Sequence, residues 1–289
     1  MAEFTWVPIY AELADKVLEY RERQAELIGL LERLRADGLP VNASGDQFAD
    51  GTTGVMKEID PFTFFSNFNR GVTDDNRRAI LSALKREFGL TRSLPTDFTG
   101  IPTVNNQASW FIAYQKDRKP TDVPTLWDIA ASTRRDGAEG LDAELFVRGL
   151  AINRVALAKL TMGMFWFRPD GFVALDRNMK AYLEANGIAV GKIATVAEYR
   201  DVIHRVREKF GGDFKRISVD APSRERGKPM GKGHVTPGLG CSAEVGWSVA
   251  FDGHPHEAVS ARRDWPGTGK TGGSTGSLTW DLLVEVLGT

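Results

Sequence analysis

The chain has 289 residues, 37 Lys and Arg against 38 Asp and Glu, and 42% hydrophobic residues. That length supplies one large or two modest domains with a core that needs no disulfide or metal, while a net charge of −1 excludes a global field drawing the molecule to nucleic acid or an anionic membrane. One cysteine, Cys241, and four scattered histidines exclude a disulfide framework and a zinc-ligand spacing.

From Trp6 to about Asp37 the apolar residues Leu13, Val17, Leu27, Leu31 and Leu34 recur at helical steps, and Gly38 and Pro40 end the pattern. Such a run is long for one globular helix, so a bend or break is expected near residues 20–24. Residues 41–53, rich in Asn, Ser, Gly and Asp, read as an exposed loop.

Two runs of aromatics and amides follow, residues 59–71 and residues 97–114. In the first, Asp60 caps a short helix with Pro61 at its first position, and Phe62, Phe65 and Phe68 with Asn69 fall on one side. Thr73, Asp74 and Asp75 cap the next helix, which buries Ile80, Leu84 and Phe88 and projects Arg77, Arg78, Lys85 and Arg86 outward. In the second run Asn105 and Asn106 read as a helix cap and Trp110, Phe111 and Tyr114, at helical spacing, as core. The same residue types serve nucleic-acid binding, because Asn pairs with an adenine edge and Trp stacks on a base. Arg70, Arg77, Arg78, Asn105 and Asn106 are therefore the candidate nucleic-acid contacts.

Residues 116–120 form a charged loop. Leu126 and Trp127 begin a helix after Pro124, and residues 136–140 separate it from another over residues 141–153. Residues 155–167 are the most apolar stretch and belong at the centre of the fold, though too short and interrupted to span a bilayer. Arg168, Pro169, Asp170 and Gly171 turn the chain toward a helix capped by Asp176. Thr195 with Glu198 three residues on is a capping box for a helix burying Tyr199, Val202, Val206 and Phe210, closed by Gly211 and Gly212. His204 stands in that helix without a spaced partner and takes an ordinary structural or surface role.

Beyond about residue 221 Gly, Ser, Pro and Arg become frequent and the periodicity is lost. The expected architecture is thus mainly α, a multi-helix globular module over residues 1–220 followed by a poorly ordered tail over residues 221–289. Within the tail Gly267, Gly269, Lys270 and Thr271 end as a P-loop ends, where backbone amides and Lys hold phosphates and Thr holds magnesium. Asp264 occupies the place of the first glycine, no buried strand precedes it, and too few residues follow for a second acidic motif. The fragment is read as degenerate, so no cofactor is expected; ATP or GTP with magnesium would be bound only by a functional copy.

Several ordered motifs, among them Ile59-Asp-Pro-Phe-Thr-Phe-Phe65, Phe68-Asn-Arg-Gly71, Phe98-Thr-Gly-Ile-Pro-Thr-Val-Asn-Asn106 and Phe165-Trp-Phe-Arg-Pro-Asp170 followed by Leu175-Asp-Arg-Asn178, resemble the amino-terminal region of McrB-like AAA-family proteins of modification-dependent restriction systems. The resemblance covers roughly residues 4–220. It implies a recognition or assembly module that precedes an AAA motor, contacts DNA or a partner subunit, and relies on another subunit for nuclease activity. The motor is missing here, and the tail fits a truncated or frame-shifted remnant of a longer gene.

Three alternatives come from other classes. Lys159 and Asp176 loosely resemble the Lys and Asp of helix-hairpin-helix base-excision glycosylases, in which Lys attacks the sugar and Asp stabilises the developing cation. A truncated AAA NTPase is the second, and a helical protein–protein scaffold the third. No signal peptide or membrane span is recognised, so a cytoplasmic protein with no membrane partner is expected.

Overall fold

The first apolar repeat forms two helices. In the computed structural model, which describes residues 3–223, α1 (Val7–Leu18) and α2 (Gln24–Ala36) are parted by a turn in which the Arg23 amide donates to the Tyr20 carbonyl at 2.9 Å. The break lets each helix turn its own stripe inward: Ile9, Tyr10, Leu13 and Val17 from one, Leu27, Ile28, Leu31 and Leu34 from the other.

Residues 41–53 are more structured than a loop. Gly45–Gln47 (β1) pairs antiparallel with Thr53–Val55 (β2), and Asp46 in β1 is buried. α3 (Pro61–Ser66) starts where Asp60 accepts hydrogen bonds from the Phe62 and Thr63 amides, both at 2.9 Å. It is buried all round, Phe64 included, which a one-sided stripe did not foresee. α4 (Asp74–Phe88) begins on the Thr73 hydroxyl and ends at Gly89, whose φ of 63° is the left-handed conformation that glycine tolerates.

From α4 to residue 121 the chain is irregular, with 3₁₀ turns at Asn106–Ala108 and Gln115–Asp117. Trp110, Phe111 and Tyr114 therefore lie on no helix, although Phe111 is buried. Helices resume with α5 (Asp122–Arg135), which starts ahead of Pro124, α6 (Gly137–Gly140), α7 (Ala143–Leu150) and α8 (Ala156–Phe167). α9 (Arg177–Ala185) takes its cap from Asp176, and α10 (Val196–Phe210) shows the complete Thr195–Glu198 capping box. α11 (Phe214–Ser223) had no sequence signal beyond the glycine pair before it; it forms by burying Phe214, Ile217 and Ala221 and packs against α9.

Two helices share the centre. All residues of α8 from Leu160 to Phe167 are buried, as the apolar run led one to expect. α5 contacts α1, α3, α7 and α8, and its Trp127 indole donates to the Ile59 carbonyl at 3.0 Å. α3 lies so close to α8 that a Cβ on Gly163 would stand 2.7 Å from ring carbons of Phe62. The aromatics of the first run fill this junction, with Phe65 and Phe62 at 4.6 and 5.2 Å from Phe167 between ring centroids.

The fold is mainly α, with eleven α-helices and one two-stranded sheet among the described residues. The predicted poorly ordered tail lies, apart from its first three residues, outside the described residues. No helix among the described residues is long and apolar enough to cross a membrane.

Candidate nucleic-acid interface

The two aromatic runs meet, but most of the cations predicted to face outward there are engaged in holding the fold. Arg77 is buried: its Nε donates to the Phe68 carbonyl at 2.6 Å and its guanidinium lies 5.0 Å from the Phe98 ring centroid. The reading of Arg77 as an outward-facing contact is overturned, because its guanidinium turns inward to satisfy the buried Phe68 carbonyl just past α3. Arg78 is half-buried and donates to the Pro95 and Thr96 carbonyls at 3.1 and 3.3 Å. Asp74 and Asp75 pair with the two arginines at 3.4 and 3.2 Å, so this face of α4 is balanced rather than basic.

Arg70, Asn105 and Asn106 do come together. Arg70 pairs with Val104 in an isolated parallel bridge, sends Nη2 to the Pro40 carbonyl at 2.5 Å and Nη1 to Oδ1 of Asn106 at 3.3 Å. The Asn106 amide nitrogen donates to the Gly71 carbonyl at 3.3 Å. Both ends of that amide are engaged, which removes the two-pronged adenine contact assigned to Asn106. Asn105 is exposed and its Oδ1 caps the 3₁₀ turn through the Gln107 amide at 2.8 Å. Asn69, beside Arg70, is buried against Tyr10, whose hydroxyl donates to Asn69 Oδ1 at 2.6 Å.

A second group of side chains, at the corner between α7 and α8, has the opposite character. Lys159 in the second turn of α8 donates to the Trp110 carbonyl at 2.6 Å and lies 5.6 Å from the Phe111 ring centroid. Arg154, exposed just before α8, stands 5.6 Å from the Tyr114 ring centroid, and Tyr114 meets Trp110 edge to face at 6.0 Å. Neither cation has a carboxylate within ion-pair distance among the described residues. Burial lowers the Lys159 ammonium to about 8, the Asp60 charge opposing the shift and the Arg154 charge adding to it. The backbone is strained here: Arg154 and Ala156 have φ of 73° and 46°, a region that L-residues rarely occupy.

Trp110 differs from the other tryptophans of the described residues. Trp6, Trp127 and Trp166 each donate their indole N–H to a carbonyl, of Thr99, Ile59 and Pro102 at 3.0, 3.0 and 2.8 Å. The Trp110 indole N–H makes no hydrogen bond among the described residues, and the side chain is half-buried. Two rings, two unpaired cations and one free indole N–H thus share a corner that periodicity alone assigned to the core. Arg154 had no signal in the sequence, because its position depends on the left-handed turn before α8.

Asp60 stands near this corner with a fully buried carboxyl whose Oδ2 has no hydrogen-bond partner. Burial pushes it up to about 6, against hydrogen bonds from Thr63 and the Phe62 amide. Asp176, by contrast, does not join Lys159. The Leu175 amide donates to the Thr161 hydroxyl at 2.8 Å, and Thr161 is two residues from Lys159, roughly 200° around the helix. Lys159 and the segment entering Asp176 therefore flank α8 on opposite sides, and Asp176 caps α9 at 2.8 Å from the Met179 amide. The Lys159–Asp176 pairing expected from the glycosylase resemblance draws no support from this placement.

His204 lies on the surface with Glu139 at 3.4 Å. No group of three or more His, Cys, Asp or Glu residues fit to hold a metal occurs among the described residues. The P-loop-like Gly267, Gly269, Lys270 and Thr271 lie outside the described residues.

Comparison with curated proteins gives no match, and comparison with solved structures gives none either. A family model matches residues 6–224, from the first residues of α1 through α11, and its description assigns no activity. The chain therefore belongs to the family described as Domain of unknown function (DUF8425).

Proposed function

We propose that this domain is a non-catalytic recognition module that contacts DNA at the corner formed by Trp110, Tyr114, Arg154 and Lys159. The observation that carries this reading is the pairing of two cations lacking carboxylate partners with two half-buried rings. Cations meet phosphates and rings meet bases, which is the division of labour of nucleic-acid interfaces. Arg70 and exposed Asn105 extend the same irregular segment toward the end of α3. Service to a McrB-like AAA motor with a partner nuclease subunit is part of the proposal and rests on the sequence resemblance.

Gel shifts with modified and unmodified duplexes and with their separated strands, across a salt series, test it. A shift that weakens with salt, with a slope shallower by about 1 in Arg154→Ala, is the expected result. No shift at low salt would overturn DNA recognition and leave assembly with another protein as the function of the module.

A further inference from the structure

Resting on the reading just given, we infer that the corner takes unpaired nucleotides, so that the ligand class of this site is single-stranded nucleic acid rather than duplex. Three observations carry the inference. First, Trp110, Tyr114 and Arg154 come from irregular backbone and only Lys159 from a helix: the surrounding 3₁₀ turns, Asn106–Ala108 and Gln115–Asp117, have three residues each, and α8 beyond Leu160 is buried. The two rings and Arg154 are thus not carried on a helix that could enter a major groove, the element by which most duplex readers reach base edges.

Second, the ring geometry suits faces rather than edges. Trp110 and Tyr114 are set edge to face at 6.0 Å with an interplanar angle of 75°, and Arg154 lies over the Tyr114 ring. A base still stacked in a duplex has both faces covered by its neighbours, so only an unpaired base can lie against the part of Trp110 left open. The unengaged indole N–H would then donate to an acceptor on that base or on its backbone.

Third, the cations fit a strand and not a surface. Lys159 is tethered by the Trp110 main-chain carbonyl, 5.6 Å from the Phe111 ring, and Arg154 lies over the Tyr114 ring, so both charges are held along the segment that carries the two half-buried rings. A single strand alternates phosphate and base along its length and meets that arrangement residue by residue. Asp60 acts on Lys159 through its field, which favours the charged ammonium, and its buried carboxyl presents no anion at the surface of the corner.

The test uses the full chain with an oligothymidylate, an oligoadenylate of equal length, and the duplex formed from the two, followed by fluorescence anisotropy. Single strands are expected to bind at least about tenfold more tightly than the duplex, a ratio within the stacking energy of one or two bases. Trp110→Leu should lose about tenfold for single strands and Trp110→Phe should restore most of it, which a merely structural role for the side chain would not produce. Duplex binding equal to or tighter than single-strand binding, with loss on Arg154→Ala, would overturn the single-strand assignment and leave DNA recognition standing. Absence of binding to all three would overturn both.

Discussion

Arg118 and Asp46 stand 72 positions apart and meet as an ion pair at 3.1 Å with side chains only 3% and 0% exposed. Asp46 also accepts the Gln47 and Gln115 amides, both at 2.8 Å, and Arg118 reaches Glu58 at 3.2 Å. The small hairpin is thereby fastened to the 3₁₀ turn at Gln115–Asp117. Removing one partner leaves the other charged and buried, so Asp46→Ala or Arg118→Met should lower stability by about 3–5 kcal/mol. Urea unfolding monitored by tryptophan fluorescence measures it, and a loss within the range of an exposed ion pair would show the pair to be dispensable.

The Asp60 carboxyl gives the fold a pH signature. Its value of about 6 in the folded state lies above the ordinary 3.8, so the folded chain holds this proton more tightly than the unfolded one. The cost of the buried charge is fully present above pH 6 and vanishes below pH 3.8, an upper limit of roughly 3 kcal/mol. Asp60→Asn keeps a side-chain oxygen for the Phe62 and Thr63 amides and has no charge to bury. The variant should be more stable than the parent at neutral pH, and the difference should close as pH falls through 6 toward 4. A difference independent of pH would show that Asp60 does not titrate there.

Lys159 shifts the other way. Its ammonium is lowered to about 8 by burial, so its charge is present below that pH and lost above it. If the corner holds phosphates, binding should weaken as pH rises from neutral through 8 in the parent. Lys159→Arg, whose charge does not titrate in this range, should flatten the profile. Parallel profiles for the two proteins would remove Lys159 from the interface.

Gly163→Ala probes the junction of α3 and α8. Phe62 is wholly buried, so its ring has no open side to move into when a methyl group arrives 2.7 Å away. A loss of about 1–3 kcal/mol is expected, with the helical circular dichroism spectrum retained. Full stability in the variant would mean that the two helices slide apart without cost.

Helices that bury a stripe were legible in the sequence because period and caps agree. The break near residues 20–24, the Asp60, Thr73 and Asp176 caps, and the Thr195–Glu198 box all stand where local chemistry placed them. The candidate site was less legible. Arg77 has the spacing of a surface residue and is drawn inward by a carbonyl nine residues back. Trp110, Phe111 and Tyr114 have helical spacing without a helix, since Phe111 donates its amide to the Thr63 hydroxyl instead, at 2.8 Å. Lys159 drew notice beside Asp176, yet its neighbours are Trp110, Phe111 and Arg154, none of them close in sequence except the last. Long-range hydrogen bonds decided each of these cases, and periodicity contains no record of them.

The irregular segment from Asn105 to Arg118 owes its shape to anchors supplied from elsewhere: Asn42 to Ser109, Thr63 to Phe111, Lys159 to Trp110 and Asp46 to Gln115. It behaves as a casting held in a mould. A free peptide of those residues would carry both rings of the candidate site, neither of its two cations and none of the arrangement, because its partners lie on other parts of the chain. Changes to the mould far from the surface would alter what the surface fits, whereas exposed positions such as Asn105 and Gln107 can vary while the casting keeps its form.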